Sequence, residues 1–244
     1  MKIPKENRKE EKIQEEYYKK TGVQYDDLHL HNDDAHFNAL NQIITLGKEL
    51  GIQTYLDVGC GTGRGVAFLL KNSFNAYGVE LSQSLLRQAI QKNDVPAHRL
   101  LYGNGLSLPF KENSFDAVCA FGLLHHIKHP NLVVKEMMRV ARKVIFLSDS
   151  NRFGQGNLFS KNCKIFLWKC GLWGIANFVK TKGKNYILTE GDGVSFSYSV
   201  YDSYSLLKSW AKQLIEIPTD NSTQKNSENY LLTASHLLLV AVKK

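Results

Sequence analysis

The spacing of apolar residues changes several times along the chain. From Phe37 to Leu50, Leu40, Ile43, Ile44 and Leu46 recur at helical spacing, and Gly51 stops the helix. Short apolar runs then alternate with longer amphipathic ones. The runs predict strands at Thr54–Val58, Asn75–Glu80, Arg99–Tyr102, Phe115–Phe121 and Lys143–Ser148. The amphipathic stretches predict helices at Gly63–Lys71, Ser82–Asn93 (Ser82 as N-cap) and Asn131–Val140. Strands alternating with helices in this way predict a doubly wound α/β sheet, with ligands beyond the carboxyl ends of its strands. The rhythm breaks after Ser150. Residues 151–200 are aromatic, basic and punctuated by glycine, and a helix (Asp202–Lys212) and two strands (Leu214–Thr219, His236–Val242) then resume the pattern around a polar loop, 220–229. The division this predicts is an amino-terminal arm or lid (1–36), a core (37–150), an insert (151–200) and a closing segment (201–244). The first twenty residues mix seven bases with five acids and read as a solvated helix or a partly disordered arm.

Composition sharpens this picture. The chain has 244 residues, 43% of them hydrophobic and 22% charged, enough to bury one substantial core. No stretch approaches the ~20 apolar residues of a membrane span, and Met1–Lys20 is too charged for a secretory signal. The four cysteines form no CxxC pair and no metal spacing, which suits a reducing, cytoplasmic setting. Net charge is +8, and +7 of it lies between Ser150 and Thr189, where seven bases stand with no acid. A nucleic-acid partner would call for a broader basic face, so none is expected.

The first strand runs into Asp57-Val58-Gly59-Cys60-Gly61-Thr62-Gly63, whose glycines allow a tight turn close to a ligand. A GxGxxG dinucleotide loop would need glycine where Arg64 or Val66 stands, and no Gly-Lys-Ser/Thr follows for a phosphate loop. The segment Tyr55–Gly63 instead resembles the signature loop of class I S-adenosylmethionine-dependent methyltransferases. Tyr77–Ser82, Gly103–Phe110 and Ser114–Val118 through Leu124–Ile127 resemble that family's next three motifs, in order. The likeness covers about 52–150 and is closest to small-molecule methyltransferases of the quinone-biosynthesis group.

The resemblance implies a Rossmann-like, seven-stranded, mostly parallel sheet and an S-adenosylmethionine cofactor. It implies that Glu80 accepts from both ribose hydroxyls, that Leu81 lies on the adenine face, and that Asp57 orients the loop and the amino group. Gly59, Gly61 and Gly63 would shape the loop, Gly105 and Leu106 would complete the adenine slot, and Phe121 would meet the methionine end. Asn104 replaces the family's commoner aspartate; its amide oxygen can still accept from the adenine amine.

Methyl transfer needs alignment and, for a hydroxyl or an unactivated carbon, removal of a proton. His126 and His125, where the fourth strand opens toward the cleft, are the candidate bases, or else packing residues beside the cofactor. Asp149 is a candidate for orienting the substrate. His29, His31 and His36 lie in a segment that could close over the cofactor, and no metal site is expected. The aromatic and basic insert reads as a cap on the core, as a lid over a hydrophobic or anionic substrate, or as an interfacial membrane contact through 163–180. The expected activity is methyl transfer to a small molecule; a non-catalytic binding or scaffold protein and an RNA methyltransferase are the alternatives.

Overall fold

The computed structural model describes residues 8–22, 34–220 and 229–244. In chain order the main elements are α1 (Arg8–Thr21), α2 (Asp34–Glu49), β1 (Thr54–Val58), α3 (Arg64–Lys71), β2 (Asn75–Glu80), α4 (Gln83–Gln91), β3 (Leu100–Tyr102), β4 (Phe115–Phe121), α5 (Pro130–Val140) and β5 (Ala141–Ser150). Then follow α6 (Leu158–Lys169), α7 (Trp173–Lys180), β6 (Tyr186–Thr189), β7 (Gly193–Phe196), α8 (Tyr204–Trp210), β8 (Ala211–Pro218), α9 (Tyr230–Thr233) and β9 (His236–Lys243).

Seven strands form one sheet in the order β3-β2-β1-β4-β5-β9-β8. The first five run parallel, and β9 lies antiparallel between β5 and β8. The central strands are apolar along nearly their whole length because helices cover both faces. Alternate residues therefore face opposite cores. Leu56, Val118, Ile145 and Leu239 pack toward α5 and α8 with Val133, Met137 and Leu207, whereas Tyr55, Cys119, Phe146 and Val240 pack toward α2 and α3 with Ile43, Val66 and Leu69. The strand order reverses between β1 and β4, and the carboxyl ends of β1, β2, β4 and β5 open onto that crevice.

The predicted elements occur with small shifts. Ser82 caps α4, its hydroxyl accepting from the Leu85 N–H. The helix predicted over 202–212 is shorter: a 3-10 turn (Val200–Asp202) precedes α8, and from Ala211 the chain pairs with β9, so sheet hydrogen bonds outcompete the last helical turn. The insert also holds a hairpin, β6–β7, that was not predicted because its strands are only four residues each. The described part of the arm, α1, is a packed helix rather than a solvated one: buried Gln14 accepts from the Val194 N–H at 2.6 Å and donates to the Asp192 carbonyl at 3.1 Å, binding α1 to β7. His29, His31 and positions 221–228 of the predicted loop lie outside the described residues. Among the described residues no helix is long and apolar enough to cross a membrane.

Arg152 ties the insert to the core. It is buried, donates to Asp202 Oδ1 at 2.7 Å and to the Ser197 carbonyl at 3.1 Å, and its guanidinium lies 4.6 Å from the Phe153 ring and 4.9 Å from that of Trp173. Removing one partner of such a pair leaves the other uncompensated. Arg152→Ala is expected to cost about 3–5 kcal/mol in urea unfolding and to hasten proteolysis within 155–190; an unchanged midpoint would contradict this anchoring role.

Candidate active site at the carboxyl ends of the strands

β1 ends at Asp57-Val58 and the chain turns through three glycines at positive φ, 71°, 54° and 75° for Gly59, Gly61 and Gly63. Their duties differ. A Cβ on Gly59 would stand 2.5 Å from the Leu123 side chain, and one on Gly63 2.8 Å from Ala89, so both glycines allow packing. Only Gly61 has open space where a Cβ would be, so it, rather than Gly59, leaves backbone accessible. Glu80, at the end of β2, holds this turn in place. One carboxylate oxygen accepts from the Gly61 N–H at 3.0 Å and the other from the Ser82 N–H at 2.7 Å. Burial raises its pKa, and the backbone donors oppose that rise.

Asp57 is compensated less: the contribution opposing its burial is weak and comes from the Cys119 thiol. Its side chain is buried and Oδ1 has no hydrogen-bond partner. Burial, reinforced by the neighbouring Glu80 charge, pushes its pKa up to about 8. Asn104 Oδ1 accepts from the Leu106 N–H at 2.9 Å, shaping the turn after β3 and leaving one lone pair for a ligand. Gly105 permits close packing on Val58; Leu106 is buried, and Leu81 and Phe121 are half-buried.

The second group lies at the ends of β4 and β5. A 3-10 turn (Leu124–His126) follows β4, and Asp149 near the end of β5 accepts from the Leu124 N–H at 3.0 Å and from His125 Nδ1 at 2.9 Å. His125 Nε2 lies 3.0 Å from Asp192 Oδ2, and His126 Nε2 lies 3.2 Å from Asp192 Oδ1, while His126 Nδ1 donates to the Val194 carbonyl at 2.6 Å. Both ring nitrogens of His125 thus face carboxylates. Burial disfavours the imidazolium, but Asp149 and Asp192 outweigh it and raise the pKa to about 10. Burial would likewise raise the Asp149 pKa, but the His125 charge and hydrogen bond hold it well below the usual carboxylate range.

Asp192 sits in the β6–β7 turn and is the most exposed member, with 36% of its side chain accessible against 7% for His126. Its carboxylate and the two Nε2 atoms lie within 4.8 Å of one another, a spacing that could also hold a metal cation. The sequence reading missed Asp192; its one signal was an acid between Gly191 and Gly193, as in a tight turn. His36 is also brought to this edge, its Nδ1 3.2 Å from Ser148 Oγ and its ring 4.6 Å from that of His236.

Residues 56–145, which run from β1 into β5, match a methyltransferase domain. This segment is similar to methyltransferase domains. A demethylmenaquinone methyltransferase of Geobacillus stearothermophilus is 28% identical over 130 residues, 46% of this chain and 56% of that protein. A phthiotriol/phenolphthiotriol dimycocerosates methyltransferase of Mycobacterium tuberculosis is 30% identical over 110 residues, 44% of this chain and 40% of the relative. The chain thus spans about half the length of the curated relatives it matches. A solved S-adenosylmethionine-dependent methyltransferase of Thermotoga maritima, described as a possible histamine N-methyltransferase, superposes with a TM-score of 0.62 at 18% identity over 94% of this chain and 99% of that one. Magnesium protoporphyrin IX methyltransferase of Synechocystis, solved with bound S-adenosylmethionine, gives 0.62 at 14% identity over 96% and 97%. The chain therefore has the fold of the class I methyltransferases, and it resembles the quinone-biosynthesis methyltransferases in sequence.

The His36 environment makes a pH prediction. Burial, with the nearby His125 and Arg64 charges, outweighs the attraction of Asp149 and Asp192 and lowers its pKa to about 4. The unfolded chain takes up this proton near pH 6.5, so between these values it binds more protons than the folded chain. Stability should fall as pH drops from about 6.5 to 4, and His36→Gln should flatten that slope in urea unfolding. Equal slopes in both proteins would contradict the assignment.

Proposed function

We propose that this chain is an enzyme that transfers the methyl group of S-adenosylmethionine to a small-molecule acceptor, hydrophobic or anionic. The observation that carries this reading is the buried, partnerless Asp57 oxygen beside the Glu80-held glycine turn of a segment similar to methyltransferase domains. The residues present fit the cofactor. Glu80 can accept from two vicinal hydroxyls, and the Asp57 oxygen would be satisfied by an ammonium donor, which would also favour its ionised form. Gly61 would face the ligand, Asn104, Gly105 and Leu106 the edge of the adenine, Leu81 its face and Phe121 the methionine end; Gly59 and Gly63 would set the loop's path.

When bound, this cofactor supplies an electrophilic methyl carbon on a sulfonium. The chain's own task is to align the acceptor and take its proton where there is one. His125, charged and clamped from both sides, is a poor base; its role is to fix Asp192 and the turn after β4. His126 has its ring nitrogens on Val194 and Asp192, so as a base it would act through Asp192, the member open to solvent. The acceptor's proton would pass to the Asp192–His126 pair, with Asp149 positioning His125.

A cavity of about 580 Å³ opens between α7 and β7, two residues beyond His126. Trp173, Ile175, Phe178 and Phe196 give it apolar walls, and Lys128 lies at its edge. This supports an acceptor that is hydrophobic, anionic or both. The relatives named for demethylmenaquinone, phthiotriol/phenolphthiotriol dimycocerosates and magnesium protoporphyrin IX are in line with a small molecule of that kind.

Calorimetry with S-adenosylhomocysteine tests the cofactor assignment. Glu80→Gln, which keeps the side-chain shape, should weaken binding ~10- to 100-fold, as expected for loss of a charged acceptor; an unchanged Kd would remove Glu80 from the site. Asp192→Asn should leave cofactor affinity unchanged and lower kcat about 100-fold with a hydroxyl acceptor. Retained kcat would exclude Asp192 from proton transfer.

A further inference from the structure

Helix α6 is built inside out. Its lysines Lys161 and Lys164 turn inward, where their ammonium groups donate to the carbonyls of Leu232, Arg152 and Gln155 at 2.8–2.9 Å. Trp168 also faces inward, onto Phe153 at 5.2 Å between ring centroids. The opposite side presents Phe159, Cys163, Phe166 and Cys170, spaced by four, three and four residues, so they form one stripe. Phe159 is 80% exposed and Phe166 64%. A helix at an ordinary protein surface has the reverse arrangement.

The neighbouring elements continue this face. On α7 and just before it, Leu172, Ile175 and Val179 are exposed at helical spacing, while Trp173 turns inward onto Arg152. Ile187 and Leu188 of β6 are both exposed. Nine of the fourteen exposed large hydrophobic residues among the described residues fall between Leu158 and Leu188. Soluble proteins seldom leave so much apolar surface grouped unless something covers it.

Charge identifies the cover. Lys169, Lys180, Lys182 and Lys184 are all exposed around these side chains, and no acid occurs from Ser150 to Thr189. A second copy of the chain would bring the same positive charge against this one. An anionic lipid surface supplies negative headgroups for the lysines and hydrocarbon for the aromatic and aliphatic side chains. We propose that the outer face of residues 158–188 is an interfacial docking surface that seats on anionic bilayers through Phe159, Phe166, Leu172 and Val179 with the surrounding lysines. The inference rests on this surface alone and is independent of the activity proposed above.

Sedimentation of the full chain with vesicles of phosphatidylcholine, alone or mixed with phosphatidylglycerol, tests it. Binding is expected to the mixed vesicles and to weaken as salt is raised from about 0.1 to 1 M, where screening shortens from about 10 to 3 Å. Phe166→Ser with Phe159→Ser should reduce the partition coefficient about a hundredfold, since each ring removes burial worth about a factor of ten. Lys180→Glu with Lys182→Glu and Lys184→Glu should abolish the preference for phosphatidylglycerol. These positions are exposed, and an unchanged circular dichroism spectrum and melting temperature would verify the fold of each variant. The proposal is overturned if the wild-type chain stays in the supernatant with the mixed vesicles, or if it binds and the phenylalanine variant binds equally well. It is also overturned if sedimentation velocity shows a dimer that Phe166→Ser dissociates while vesicles bind neither form.

Discussion

Burying carboxylates at the carboxyl ends of parallel strands is the constraint around which this molecule is arranged. Asp57, Glu80 and Asp149 stand at the ends of β1, β2 and β5, each almost removed from water. A buried charge requires compensation, and the three receive it differently. Glu80 has two backbone donors, which also fix the glycine turn. Asp149 has the His125 imidazolium and the amides of the turn after β4. Asp57 has an oxygen with nothing to accept from. Two of these carboxylates therefore brace the turns around them, and the third keeps one oxygen without a hydrogen-bond partner.

The second of these arrangements extends beyond the core. His125 carries its charge between Asp149 of the sheet and Asp192 of the hairpin, and Gln14 of the amino-terminal helix holds the backbone on either side of that turn. Three segments far apart in the chain thus converge on one imidazole pair. Arg152 fastens the same insert from its other end, through Asp202 and two aromatic rings. The region most remote in pattern from the sheet is therefore held on it by these polar and charged contacts as well as by Tyr198 and Val200, which join the apolar core.

The sheet was legible in the sequence because buried parallel strands leave unbroken apolar runs and amphipathic helices leave a periodic trace between them. The glycine turn was legible as a loop, but the separate duties of Gly59, Gly61 and Gly63 depend on Leu123 and Ala89, which only the fold brings near. Glu80 and Asp57 were named from motif position, whereas the partnerless oxygen of Asp57 is a property of packing. His125 and His126 were named as one pair, yet their partners separate them, and Asp192 gave almost no signal because it lies 66 residues beyond His126 in a hairpin of four-residue strands. The inverted orientation of α6 was equally hidden: its composition allows either face to turn inward, and carbonyls around Arg152 and Leu232 draw its lysines in.

The central claim is that the open positions at the ends of β1 and β2 are those of a bound S-adenosyl cofactor. A crystal structure of the chain with S-adenosylhomocysteine tests it most directly. The account predicts ribose hydroxyls on the Glu80 carboxylate and the ligand's ammonium within hydrogen-bonding distance of Asp57 Oδ1. A ligand bound elsewhere, with Asp57 Oδ1 still lacking a partner, would contradict it.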